Sequence, residues 1–227
     1  MTTRRKLILY ITLWMVIILF TIIFSSNLSE GSTMNCPQMD MVILGDFSGS
    51  IRDQERIVLN AYQSFIDNLE ISEGTIRVSI ILFNSNATTY SELSGNKEEL
   101  LTILNNMKRA FANGGTNLSQ GLINAEYQFN INGRKGVPKT LIVISDGQPN
   151  NREYSKSLIS SIKVSGISIY SIYVPSGDMP FGPYEDRSTW TYEGKQFMLD
   201  IATDERYYFE SDYKQLSKTF NDLNFCM

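Results

Sequence analysis

Three short strings carry the chemistry of this chain: Asp46-Phe-Ser-Gly-Ser50, Gly114-Gly-Thr-Asn117 and Ser145-Asp-Gly147. Asp46 and Asp146 offer carboxylates, and Ser48, Ser50 and Thr116 offer hydroxyls. All five are hard oxygen donors, with no nitrogen or sulfur among them. Such a set suits Mg2+, which favours octahedral oxygen coordination and keeps some of its water; Mn2+ accepts the same atoms. Two carboxylates undersupply the ion with negative charge, so a partner's carboxylate would gain by replacing a water. Each string alone has a plainer reading. Asp and Ser commonly cap helices, and Gly-Gly-Thr-Asn and Ser-Asp-Gly are ordinary turns. Their order gives them weight, two after apolar strands and one before a helix.

A sheet is needed to gather these strings. Met41 to Gly45 reads as a buried central strand, fully apolar as parallel strands are, and Gly49 lets the following backbone curl Asp46, Ser48 and Ser50 toward one point. Further strands are expected at Arg77 to Phe83, Thr140 to Ser145, Ile167 to Val174 and Tyr207 to Glu210, with a short edge strand at Thr88 to Glu92. Helices are expected at Asp53 to Glu70, Lys97 to Met107, Leu118 to Phe129, Glu153 to Val164 and Gln215 to Leu223. The alternation implies an α/β fold, a doubly wound and mostly parallel six-stranded sheet with helices on both faces. Ligands of such sheets sit beyond the carboxyl ends of the strands, where the strings fall. Pro175 to Lys195, rich in Gly, Pro and aromatics, reads as a long connection, either functional or simply covering the sheet end.

Composition removes several competitors. There is no histidine in the chain, so Ser-His-Asp and Cys-His machinery, imidazole zinc sites and a histidine base are all excluded. A Mg2+-dependent hydrolase stays as a lesser alternative without a persuasive nucleophile or base. At the amino terminus Arg4, Arg5 and Lys6 precede an apolar run, Leu7 to Phe24. That run is long enough to span a bilayer core, with the basic end in the cytosol; a cleaved signal peptide is the competitor. The expected organisation is a basic head over 1–6, a transmembrane signal-anchor over 7–24, a short linker over 25–35 and an exported domain over 36–227. Of 20 Lys and Arg, the head takes 3, leaving 17 against 24 acids, a net of −7. So acidic a domain is a poor nucleic-acid binder. Cys36 and Cys226 bracket the exported part and read as a disulfide joining its ends, or else as two buried thiols. Asn27, Asn86 and Asn117 fit the glycosylation pattern.

The strings resemble the metal-ion-dependent adhesion site of the von Willebrand factor type A (vWA) domain family: Asp-x-Ser-x-Ser, a distant Thr and a distant Asp. On that resemblance Asp46, Ser48, Ser50, Thr116 and Asp146 are the metal set. Ser48 and Ser50 are implied to bind the ion directly, the other three directly or through water. The resemblance runs from about Asp40 to Leu223, and several extracellular relatives tie the domain ends with a disulfide. It implies a non-catalytic module; the amino-terminal anchor expected from the Leu7 to Phe24 run departs from the large multidomain members of the family. Its implied partner is an extracellular, matrix or cell-surface protein that presents a carboxylate to bound Mg2+ or Mn2+. The alternative is a structural or assembly subunit of a membrane complex. Phe47, Asn84 to Ala87, Asn117, Gln148 to Asn150 and Tyr184 to Tyr192 are the expected contact rim.

Overall fold

The computed structural model describes residues 36–107, 112–175, 187–223 and Phe225, within one compact unit, Cys36–Met227. Its sheet has six strands: β1 Met39–Asp46, β2 Ile76–Phe83, β3 Ala87–Ser94, β4 Lys139–Ser145, β5 Ser168–Tyr173 and β6 Tyr208–Glu210. They lie in the order β3-β2-β1-β4-β5-β6. All pairings are parallel except that of β3 with β2. The helices are α1 Glu55–Asn68, α2 Lys97–Asn106, α3 Leu118–Ile131, α4 Arg152–Val164, α5 Arg187–Ile201 and α6 Leu216–Asp222. The expected doubly wound sheet is therefore present, with its two central strands carrying Asp46 and Asp146.

The period of two along β1 divides the core. Met41 and Ile43 face one side, with Val58, Tyr62, Phe65, Leu104 and Phe220 from α1, α2 and α6. Val42 and Leu44 face the other, with Leu122, Phe129, Ile159 and Phe197 from α3, α4 and α5. With both faces covered, the strand must be apolar throughout. Two helix starts are fixed by short polar side chains: Asn96 accepts from Glu99 N at 3.1 Å and Asn117 from Gln120 N at 3.4 Å.

A buried ion cluster pins the opposite end of the sheet. Asp40, fully buried at the start of β1, receives Arg77 Nε at 3.1 Å and Arg134 Nε at 2.8 Å. Arg134 also donates to the carbonyls of Met39 and Thr75, at 2.8 Å each. Burial pushes the Asp40 carboxyl up, but hydrogen bonds from Arg77 and from the Arg134 backbone, with both positive charges, outweigh it and hold the carboxyl below its ordinary range.

Three expectations need correction. First, the reading of Pro175 to Lys195 as loop fails in its second half, because α5 begins at Arg187. Its first turns carry Thr, Tyr, Glu and Gly in place of a regular apolar stripe, which hid it; residues 176–186 lie outside the described residues. Second, no helix among the described residues is long and apolar enough to cross a membrane. The longest, α5, has 15 residues, about 22 Å at helical rise against a core of about 30 Å. The single-pass topology and amino-terminal anchoring are corrected accordingly: the run 7–24 on which they rested lies outside the described residues, and the described fold supplies no spanning element. Third, no disulfide joins two described residues, since Cys226 is outside them; Cys36 itself is buried and disulfide-bonded rather than a free thiol.

Candidate metal site

Parallel pairing of β1 with β4 sets Gly45 opposite Ile144, so the next residues, Asp46 and the Ser145–Asp146 pair, leave the sheet side by side. Asp46 is 3% exposed and Asp146 6%. Asp46 is clamped at both oxygens: Ser48 N donates to Oδ1 at 2.9 Å and Ser145 Oγ to Oδ2 at 2.7 Å. Ser48 and Ser50 share a hydroxyl contact of 2.9 Å. Asp146 Oδ1 accepts from Gln148 N at 3.2 Å. Asp46, Ser48 and Ser50 thus form one hydrogen-bonded group, with Asp146 beside it.

Thr116 reaches the same rim on a separate loop. Gly49 N donates to Gly114 O at 3.1 Å, joining that loop to the turn after β1. Gly114 holds φ +76°, a conformation that glycine adopts without strain. Beyond it the loops are knitted by neutral side chains. Asn150 Oδ1 accepts from Thr116 N at 3.3 Å, and Ser85 Oγ from Gly115 N at 2.8 Å. Asn117 Nδ2 donates to Ser85 O at 3.2 Å, and Asn84 Nδ2 to Asn113 Oδ1 at 3.4 Å. Glu55 at the start of α1 accepts from Ala112 N at 3.0 Å. The five sequence-predicted residues therefore converge on one end of the sheet.

The rim differs from expectation at Phe47, which is 5% exposed and packs in the core. Its amide donates to Phe83 O at 2.7 Å, and that bond turns the side chain inward. Residue types alone gave no role to Ser145, although it sat within a recognised string, and Asn150, expected at the contact rim, instead holds the Thr116 loop. Tyr62 belonged to a helical core stripe, yet it underlies the site. With Tyr213 it lines a small cavity beneath Asp46 and Asp146, and neither tyrosine hydroxyl has a hydrogen-bond partner among the described residues.

The electrostatics fit a cation. Burial, and then the charge of Asp146, push the Asp46 carboxyl up to about 7, against the hydrogen bonds from Ser48 and Ser145. Burial also raises Asp146, against the hydroxyl of Ser50 and the hydrogen bond from Gln148 N. Two desolvated carboxylates facing one another oppose each other's ionisation, a repulsion that a shared proton or a bound cation would relieve. Three hydroxyls complete a hard donor set. The carboxylates are only two, however, and among the described residues no three Asp, Glu, His or Cys side chains converge.

The von Willebrand factor type A domain model matches residues 40–222. The chain belongs to that family. Among curated proteins, thrombospondin-related anonymous protein of Plasmodium berghei (strain Anka) is 31% identical over 149 residues, 62% of this chain and 24% of that protein. Sporozoite surface protein 2 of Plasmodium yoelii yoelii is 31% identical over 150 residues, covering 62% and 18%. Collagen alpha-6(VI) chain of Mus musculus is 21% identical, covering 82% of this chain and 8% of that one. This vWA chain thus spans a quarter or less of the length of these relatives. Among solved structures, manganese-loaded TRAP protein of Plasmodium vivax superposes with a TM-score of 0.63 at 22% identity, covering 82% of this chain and 74% of that one. Pilus adhesin SpaC of Lactobacillus rhamnosus GG gives 0.69 at 16%, covering 83% and 30%. At these identities the structural likeness establishes the vWA fold alone. Among these relatives one is named a surface protein, one a collagen chain and one a pilus adhesin.

Proposed function

We propose that the domain binds another protein, in adhesion or in the assembly of a larger structure, through the face where Asp46 and Asp146 emerge. The observation that carries this reading is the buried carboxylate pair bordered by three hydroxyls at the carboxyl end of the two central strands. Asp46, Ser48, Ser50, Thr116 and Asp146 would hold Mg2+ or Mn2+. When bound, such an ion offers an electrophilic point on which a partner's carboxylate can replace water. The rest belongs to the chain. Ser145 and Ser48 N keep Asp46 oriented, and Asn150 and Ser85 hold the Thr116 loop. The manganese in the Plasmodium vivax relative supports the choice of ion.

A second reading, a structural or assembly role in which the contact does not depend on an exchangeable ion, has support of its own. Among the described residues no three Asp, Glu, His or Cys side chains converge there, and one relative is a collagen chain. At the level of the partner, this support is stronger than that for ion-dependent adhesion.

Calorimetric titration of Mg2+ and Mn2+ into the full-length protein, beside Asp46→Ala, separates the two. Saturable one-site binding lost in the variant supports the ion-bridged contact. Silence from a folded wild-type protein, with or without a soluble carboxylate, removes the ion and leaves the structural reading.

A further inference from the structure

Helix α5 meets the Asp146 turn where neither backbone has room for a side chain. Gly147 has φ +74°, and a Cβ there would overlap the carbonyl of Gly194. A Cβ on Gly194 would in turn overlap the Asp146 carbonyl oxygen and lie 3.1 Å from Gln148 Nε2. Two more contacts close the same seam. Tyr173 Oη donates to Thr191 O at 3.2 Å. Arg152, its guanidinium 5.3 Å from the Phe197 ring centroid, donates to Gly147 O at 3.4 Å and to Gln148 Oε1 at 3.1 Å.

The far half of α5 is fixed independently. Phe197, Met198 and Ile201 are buried, and Lys163 Nζ donates to the Asp200 and Ala202 carbonyls at 3.0 and 2.6 Å. The helix is thus anchored at one end and presses its Thr191–Lys195 turn, backbone to backbone, on the residue that supplies the second carboxylate. Packed backbones have no flexible side chain to absorb a displacement, so a shift in either one is passed to the other.

We propose that Gly194 is a positioning residue for the ion site, and that the seating of α5 and the placement of Asp146 are a single equilibrium. The proposal rests on the ion-binding reading above and extends it. It means that whatever engages the outer face of α5, where Tyr192 is 67% exposed, reaches Asp146 directly.

The test compares Gly194→Ala with Gly74→Ala in the full-length protein. Gly74 has only Ser72 Oγ near an added methyl, at 3.8 Å. Alanine ordinarily favours a helix over glycine, so any loss at Gly194 reports the contact rather than propensity. The variant should keep its far-UV circular dichroism, bind Mn2+ at least tenfold more weakly, and exchange the amides of residues 145–149 faster in the ion-free state. Gly74→Ala should change neither. Wild-type affinity and exchange in Gly194→Ala would overturn the proposal. Should that variant fail to fold, Tyr173→Phe removes only the hydroxyl that holds Thr191 O; the same acceleration is expected, and unchanged exchange overturns the proposal. Should the wild-type protein take no Mn2+, the ion-binding reading falls, and the exchange measurement alone decides whether Gly194 positions the turn.

Discussion

Asp46 concentrates the chemistry in one side chain. Its carboxyl is raised to about 7 by burial and by Asp146, so over a wide range the ion must compete with a proton. Mn2+ affinity should therefore fall by about tenfold for each pH unit below about 7, measurable by titration calorimetry at pH 5, 6, 7 and 8. Flat affinity across that range would show that the carboxyl is already ionised. The stability of the ion-free protein should run the other way. A carboxyl whose folded value lies above its unfolded one favours the fold at low pH, and this contribution is lost as pH rises from about 4 through about 7. Asp46→Asn should reduce that slope, leaving the part contributed by Asp146, and abolish ion binding. Asp40 has the opposite sign. Its carboxyl is held low by Arg77 and Arg134, so its contribution is present above the ordinary carboxylate range and disappears as pH falls below it. Removing it in Asp40→Ala leaves two partly buried arginines without their anion, at a cost of about 3 kcal/mol in urea unfolding.

At the scale of elements, β1 and α1 are bound by a glycine. A methyl on Gly45 would overlap the Tyr62 hydroxyl and come to 3.0 Å from Leu82. Gly45→Ala should destabilise the protein by about 1–3 kcal/mol through overpacking, and Tyr62→Phe in the same chain should recover part of the loss. Recovery of nothing would place the strain elsewhere. The strands around this contact were legible in the sequence because buried parallel strands leave an unbroken apolar trace: Met41 to Gly45 needed three further residues and Thr140 to Ser145 one. The edge strand β3 runs longer than its expected Thr88 to Glu92, since one side faces water and only Leu93 and Ser91 are buried. Helix α5 was partly hidden because its opening turns meet a backbone, not a core, and helix-period apolar residues appear only from Phe197 on. The five site residues were legible from type and order. Ser145, Asn150 and Gly194 act through hydrogen bonds or a close approach that no spacing in one string reveals.

For the molecule as a whole, the ion would act on the two central strands together, since Asp46 ends β1 and Asp146 follows β4. Binding that favours the folded state should raise the midpoint of thermal unfolding with ion concentration, the fold gaining about 2.7 kcal/mol at one hundred times the dissociation constant. A midpoint indifferent to Mn2+ while calorimetry shows binding would mean that the ion also binds the unfolded chain. The loops around those strand ends are tied by Asn84, Asn113, Asn117, Asn150 and Ser85, side chains that neither titrate nor carry charge. That neutrality has a kinetic consequence. The part of the chain beyond its basic head carries a net −7, and nothing in the knitted loops reverses that field for an approaching anion. Encounter with an acidic peptide is then slowed at long range, and added salt should quicken association by screening the repulsion, the reverse of the usual dependence for oppositely charged partners. Stopped-flow rates rising with ionic strength, with dissociation set by the ion, would describe a surface that is slow to be found and slow to be left.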